Sequence, residues 1–178
     1  YQKLFFFPLF LFNGNHLLID VKKKILHFKN STSKDVILIE KLSLLKDISP
    51  VVSKILKKQM KKNIHNIVIT FCSPSNNKKV KSELENYTEK LNKLINPYKS
   101  YFRYVGEEKK LIDSIKGSSR NYFLLINQLF LFDGFLQKKN KDFFTSAKNI
   151  YISNTLSNIS TIKRILTLKL IRSLQSFN

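Results

Sequence analysis

Ile64-His65-Asn66-Ile67-Val68-Ile69-Thr70-Phe71-Cys72 is a β-branched run of strand length that stops at Ser73-Pro74-Ser75. It predicts a strand closed by a turn. Beyond the turn, Val80, Leu84, Tyr87, Leu91 and Leu94 recur at three- and four-residue steps up to Pro97. That is the period of an amphipathic helix, and the proline ends it. Upstream, Ser49-Pro50 reads as a helix opening, because serine caps and a proline in the first turn has no amide to lose. Val52, Ile55, Leu56 and Met60 then share one face, with Lys54, Lys57, Lys58, Lys61 and Lys62 around the other. Helix, strand and helix across 49–97 put both kinds of element in one core.

Working outward, residues 4–12 and 16–28 read as two extended segments joined by a tight turn at Asn13-Gly14. Lys22, Lys23 and Lys24 are consecutive and cannot share one side of a strand, so they mark a loop or an exposed edge. Val36-Ile37-Leu38-Ile39 is a further strand. On the other side lie the basic and aromatic stretch 97–108, an apolar segment at 121–135, a polar link from Gln137 to Asp142 and a basic amphipathic helix near 159–177. The pattern predicts an α+β fold, a small antiparallel or mixed sheet packed by two amphipathic helices. A boundary near 110 separates a body, 1–108, from a helical extension, 109–178. No repeat of solenoid period is found.

The 178 residues carry a formal net charge of +20 with 43% hydrophobic residues. The chain therefore has apolar mass for a core, and its charge calls for a polyanionic partner. Arginine stands only at 103, 120, 164 and 172. The wealth of Lys, Asn, Ile and Phe reflects AT-rich codons, as in an organelle or an AT-rich parasite, so part of the lysine excess is mutational. The lone Cys72 excludes an internal disulfide and a cysteine-cluster metal site. The apolar opening has no small-residue cleavage site and is interrupted by Pro8, which argues against a signal peptide. No uncharged run reaches the length of a membrane span.

Chemistry is sparse. His16, His27 and His65 lack partners at metal-ligand spacing, and the four glycines build no phosphate-cradling loop. Glu83, Glu85 and Glu89 read as helix-start carboxylates, and the serines lack a nucleophile elbow. The expectation is a protein with no catalytic residues, no cofactor, no metal and no small-molecule substrate. Lysines instead cluster at 22–24, 57–62, 78–81, 109–110 and 138–141, which suits a protein wrapped by phosphates. Tyr98, Tyr101, Phe102 and Tyr104, interleaved with Lys99 and Arg103, add rings for stacking on bases. The expected RNA-binding residues are Lys22, Lys23, Lys24, Lys57, Lys58, Lys61, Lys62, Lys78, Lys79, Tyr98, Lys99, Tyr101, Arg103, Tyr104, Arg120, Lys163 and Arg164.

The segment from Ile67 to Glu107 resembles the end of the large-subunit ribosomal protein six family: a strand, a helix, and a Pro-Tyr-Lys motif followed at fixed spacing by Arg-Tyr, here Pro97-Tyr98-Lys99 and Arg103-Tyr104. The stretch Phe10 to Leu26 resembles the family's opening strands. The resemblance implies a structural constituent of the large ribosomal subunit that braces ribosomal RNA beside neighbouring ribosomal proteins. With the codon bias it implies a mitochondrial ribosome in the matrix. The alternative is a basic accessory subunit of a mitochondrial inner-membrane respiratory or ATP-synthase complex, using the final helix.

Overall fold

The structure is a computed structural model describing residues 3–12, 16–39, 44–116 and 121–176. Both kinds of element are present, as expected. The strands are β1 (Lys3–Phe6), β2 (Asp35–Leu38), β3 (His65–Cys72), β4 (Lys99–Tyr104), β5 (Tyr122–Gln128) and β6 (Ile150–Ile152). The α-helices are α1 (Lys22–Asn30), α2 (Leu45–Gln59), α3 (Lys78–Ile95), α4 (Glu108–Lys116), α5 (Phe135–Phe144) and α6 (Ser160–Gln175). β1 pairs with β2, and the larger sheet runs β4-β3-β5-β6. Each of these pairings is parallel, not antiparallel.

The parallel order follows from burial on both faces. In β3, Val68 and Cys72 join one core with Leu125 of β5 and with α2, α3 and α6. The alternate residues Ile67, Ile69 and Phe71 join a second core with Leu124, Ile126, Leu111 of α4 and Phe144 of α5. Successive strand side chains point to opposite faces, so a strand covered on both sides reads as an unbroken apolar run. Two helices do not suffice for that: α2, α3 and α6 cover one face, and α4 and α5 the other.

Several expectations are corrected. Residues 16–28 are helical, a π-helical turn (His16–Val21) running into α1, and Lys22, Lys23 and Lys24 are exposed on it. The turn expected at Asn13-Gly14 lies outside the described residues. α2 begins at Leu45 and takes Pro50 into its interior. The stretch 99–104 is an edge strand in register with β3. The boundary expected near 110 falls inside one sheet, because β5 comes from beyond it and lies between β3 and β6. The C-terminal helix packs on the body: Ile162 is fully buried, and Lys169 pairs with Asp47 of α2 at 2.8 Å. Among the described residues no helix is long and apolar enough to cross a membrane.

Candidate functional site

The chain changes direction at β3. From β3 it passes over one face, through α3, to β4; from β4 it returns over the other face, through α4, to β5 on the far side of β3. Loops leaving β3 and β5 at their carboxyl ends therefore diverge and leave a crevice, the position where open parallel sheets hold ligands. Here it has a volume of about 390 Å³ and is lined by residues 9–12, Ser73, Pro74, Ser75, Val80 and residues 129–132.

Two of these walls are one sequence written twice. Leu9-Phe10-Leu11-Phe12-Asn13-Gly14 and Leu129-Phe130-Leu131-Phe132-Asp133-Gly134 differ only at Asn13 and Asp133. Each follows a strand, β1 or β5, that pairs in parallel with the next strand along the chain. Leu11 and Leu131 are equally buried, at 7% exposure. The second copy is fixed by backbone bonds: Leu129 N donates to Phe71 O (2.8 Å), Leu156 N to Phe130 O (2.9 Å) and Ser157 N to Leu131 O (2.8 Å). Phe132, in the lining, stays exposed at 53%. Sequence reasoning missed this site. A search for short identical words, rather than for solenoid periods, would have found it.

Polar groups brace the walls. On the α3 face, Asn127 Nδ2 donates to Thr70 Oγ1 (3.1 Å) and Tyr87 Oη (3.2 Å). On the α5 face, Gln137 Nε2 donates to Gln128 Oε1 (3.2 Å), and Asn140 Nδ2 donates to the buried Glu108 Oε1 (3.0 Å). α3 starts behind Ser75 with the Asn77 side chain accepting from Lys79 N (2.9 Å), so Lys78 and Lys79 occupy its first turn. Cations there oppose the helix dipole, and an anion at the rim would relieve them. Cys72 ends β3 close by, and burial, then the Glu107 charge, push its thiol up to about 12. It stays protonated at neutral pH and is neither nucleophile nor ligand in that form.

The structure divides the expected RNA-binding residues. Lys57 and Lys58 end α2, with Lys61 and Lys62 just after it. They lie towards the edge where the strands begin, and Tyr98 and Lys99 lie at that edge too. There Tyr98 N donates to Asn66 O (2.9 Å), its ring sits 4.0 Å from that of His65, and Lys99 Nζ lies 5.6 Å from the Tyr98 ring. Arg103 lies roughly 13 Å along β4 from Lys99. Its guanidinium stacks on Tyr101 at 5.5 Å, and its Nη1 donates to Phe102 O (2.8 Å). Tyr104 is half-buried at the strand's far end, and burial is the first cause raising its phenol. Lys22–Lys24, Lys78, Lys79, Lys163 and Arg164 are exposed near helix starts; Arg120 lies outside the described residues. Lys99 and Arg103 thus lie towards opposite ends of β4.

No protein-family model matches the sequence, and no curated protein matches it. Among solved structures, SirB from Bacillus subtilis with Fe3+ is similar, with a TM-score of 0.74 and 14% identity over 97% of this chain and 71% of that one. This likeness, which spans nearly the whole chain, overturns the ribosomal resemblance. Pro97-Tyr98-Lys99 and Arg103-Tyr104 bracket an edge strand of a parallel sheet, and their spacing is the length of that strand. The crevice lining does not fit an iron ion: it is apolar, and no three His, Cys, Asp or Glu converge among the described residues. At 14% identity the chain shares with SirB a fold.

Proposed function

We propose that this protein binds a small amphipathic anion, with a flat apolar body and acidic substituents, in the crevice at the carboxyl ends of β3 and β5. The observation that carries this reading is the convergence of two copies of Leu-Phe-Leu-Phe on one crevice. Apolar walls with few polar groups are the usual lining of a small-molecule site. Lys78 and Lys79, exposed in the first turn of α3 between the lining residues Ser75 and Val80, on a chain of net charge +20, select for negative charge. The test uses 8-anilinonaphthalene-1-sulfonate beside the uncharged N-phenyl-1-naphthylamine, followed by fluorescence. Saturable binding of the sulfonate is expected. Phe132→Ser should weaken both probes roughly tenfold through lost ring contact, and Lys78→Gln with Lys79→Gln should weaken only the sulfonate. If both variants keep the parent's melting temperature and bind both probes as the parent does, the reading fails.

A second reading keeps RNA as a partner, and the meeting of His65, Tyr98 and Lys99 at the opposite edge favours it. A ring with an ammonium group beside it suits a stacked base and its phosphate. Anisotropy with a short oligouridine should show affinity falling linearly with salt on logarithmic axes, and Tyr98→Ala should weaken it several-fold. Unchanged affinity in Tyr98→Ala would remove this reading and leave the crevice untouched.

A further inference from the structure

Beside the crevice, across the Phe132–Asp133 link, lies a second cavity of about 630 Å³. Its lining is polar where the crevice is apolar. Asp133, Lys138, Lys141 and Asp142 face it with Ser153 and Asn158, and Gln128 forms part of its wall. The two ammonium and two carboxylate groups balance, so a bare anion gains little net attraction here. A molecule that offers hydroxyl donors at one end and a negative group at the other has a partner for each kind of wall.

The acceptor end is preorganised. Asp133 Oδ1 accepts from Thr155 Oγ1 (2.8 Å) and Oδ2 from Asn158 Nδ2 (2.9 Å). These two bonds, first Thr155 and then Asn158, hold its carboxyl below the usual carboxylate range. A carboxylate oxygen accepts more than one bond, so each keeps capacity for a ligand hydroxyl. The wall behind is equally fixed. Gln128 N donates to Ser153 Oγ (2.9 Å), Gln128 Nε2 to Asn140 Oδ1 (3.4 Å), and Gly106 N to Glu108 Oε2 (2.7 Å) at the end of that chain of bonds. The donor end is α5, which starts after Gly134 and brings Lys138 and Lys141 to the cavity from its first two turns. An anion placed there meets both ammonium groups and the amides of the first turn, which have no partner within the helix.

We propose that this cavity is a second ligand site, taking a small phosphorylated or carboxylated polyol: vicinal hydroxyls on Asp133, the anionic group on Lys138, Lys141 and the start of α5. This site is separate from the crevice in chemistry and shares with it the Leu129–Gly134 segment.

Ribose 5-phosphate, inorganic phosphate and ribose serve as probes, followed by amide chemical shifts and calorimetry on the whole chain. Ribose 5-phosphate should shift the amides of residues 134–141 and 153–158 and bind at least tenfold more tightly than either half alone. Asp133→Asn should weaken it roughly tenfold or more, the loss of a charge-assisted acceptor. Lys138→Gln with Lys141→Gln, both exposed, should do the same and abolish phosphate binding. Phe132→Ser should leave these affinities unchanged while weakening the naphthalene probes, which separates this site from the crevice. No shifts at millimolar ribose 5-phosphate would overturn the proposal, as would equal affinity for phosphate and ribose 5-phosphate. Should Asp133→Asn unfold, the lysine pair alone decides: ribose 5-phosphate binding unchanged in that double variant also overturns it.

Discussion

Cys72 and Tyr87 are weak acids placed where their charged forms are expensive. Burial pushes the Cys72 thiol up to about 12, and burial also raises the Tyr87 phenol, against the hydrogen bond from Asn127. A group whose pKa is higher folded than unfolded lends stability that is complete below the unfolded value and is lost as pH rises towards the folded one. The melting temperature should therefore fall as pH climbs from about 9 to about 12. Cys72→Ala should flatten that limb, and an equally steep fall in Cys72→Ala would show that other groups govern it. Native protein at about pH 8 should resist iodoacetamide until denatured, because the thiolate is the nucleophile. The sequence showed Cys72 in an apolar run, which suffices to foresee its burial. It did not show the use of Asn127 and Gln128. Read along the chain they only interrupt an apolar segment; in the fold, adjacent positions on β5 send them to opposite faces, each into its own hydrogen-bond network.

At the level of elements, legibility tracked how local the signal was. α3 is evident from its period, and Leu84 and Leu91 are buried as that period requires. Leu84→Ala or Leu91→Ala should cost about 2–5 kcal/mol through the cavity each leaves, whereas the exposed Lys81→Ala should cost almost nothing; equal costs in chemical denaturation would refute this facing. α2 misled because Ser49-Pro50 carries a start signal inside a helix. Pro50 has no amide for the carbonyl of Lys46, four residues earlier. That oxygen instead accepts from Ser49 Oγ (3.2 Å) and from Lys90 Nζ of α3 (2.9 Å). A defect in one helix thus becomes a clasp to its neighbour, which no local pattern records. Lys90→Ala should then cost about 1 kcal/mol. In a Pro50→Ala background, where the substitution restores the missing amide, it should cost measurably less. A double-mutant cycle with no coupling would show that the clasp is idle.

Across the whole molecule, the parallel sheet was hidden because strands covered on both faces lose the alternation that tells inside from outside. Pairing partners far apart in sequence leave no local mark either, and the twin hexapeptides were the one long-range clue the chain offered. Their consequence is that the molecule is not a body with an extension. β5 is flanked by β3 and β6, and its residues Leu125 and Leu124 enter the two separate cores. Removing residues 109–178 would strip β3 of one partner across its whole length, expose both faces of the sheet and take α4, α5 and α6 from them. A fragment of residues 1–108 should therefore lack a cooperative thermal transition and show fast amide exchange throughout β3, even though it contains the motif-bearing strand β4 intact. The crevice would vanish with it, since one of the two Leu-Phe-Leu-Phe walls is gone. If that fragment instead melted cooperatively, with β3 amides protected as in the whole chain, β3 and β4 with α2 and α3 would be a self-sufficient unit, and the interdependence argued from the sheet order would be wrong.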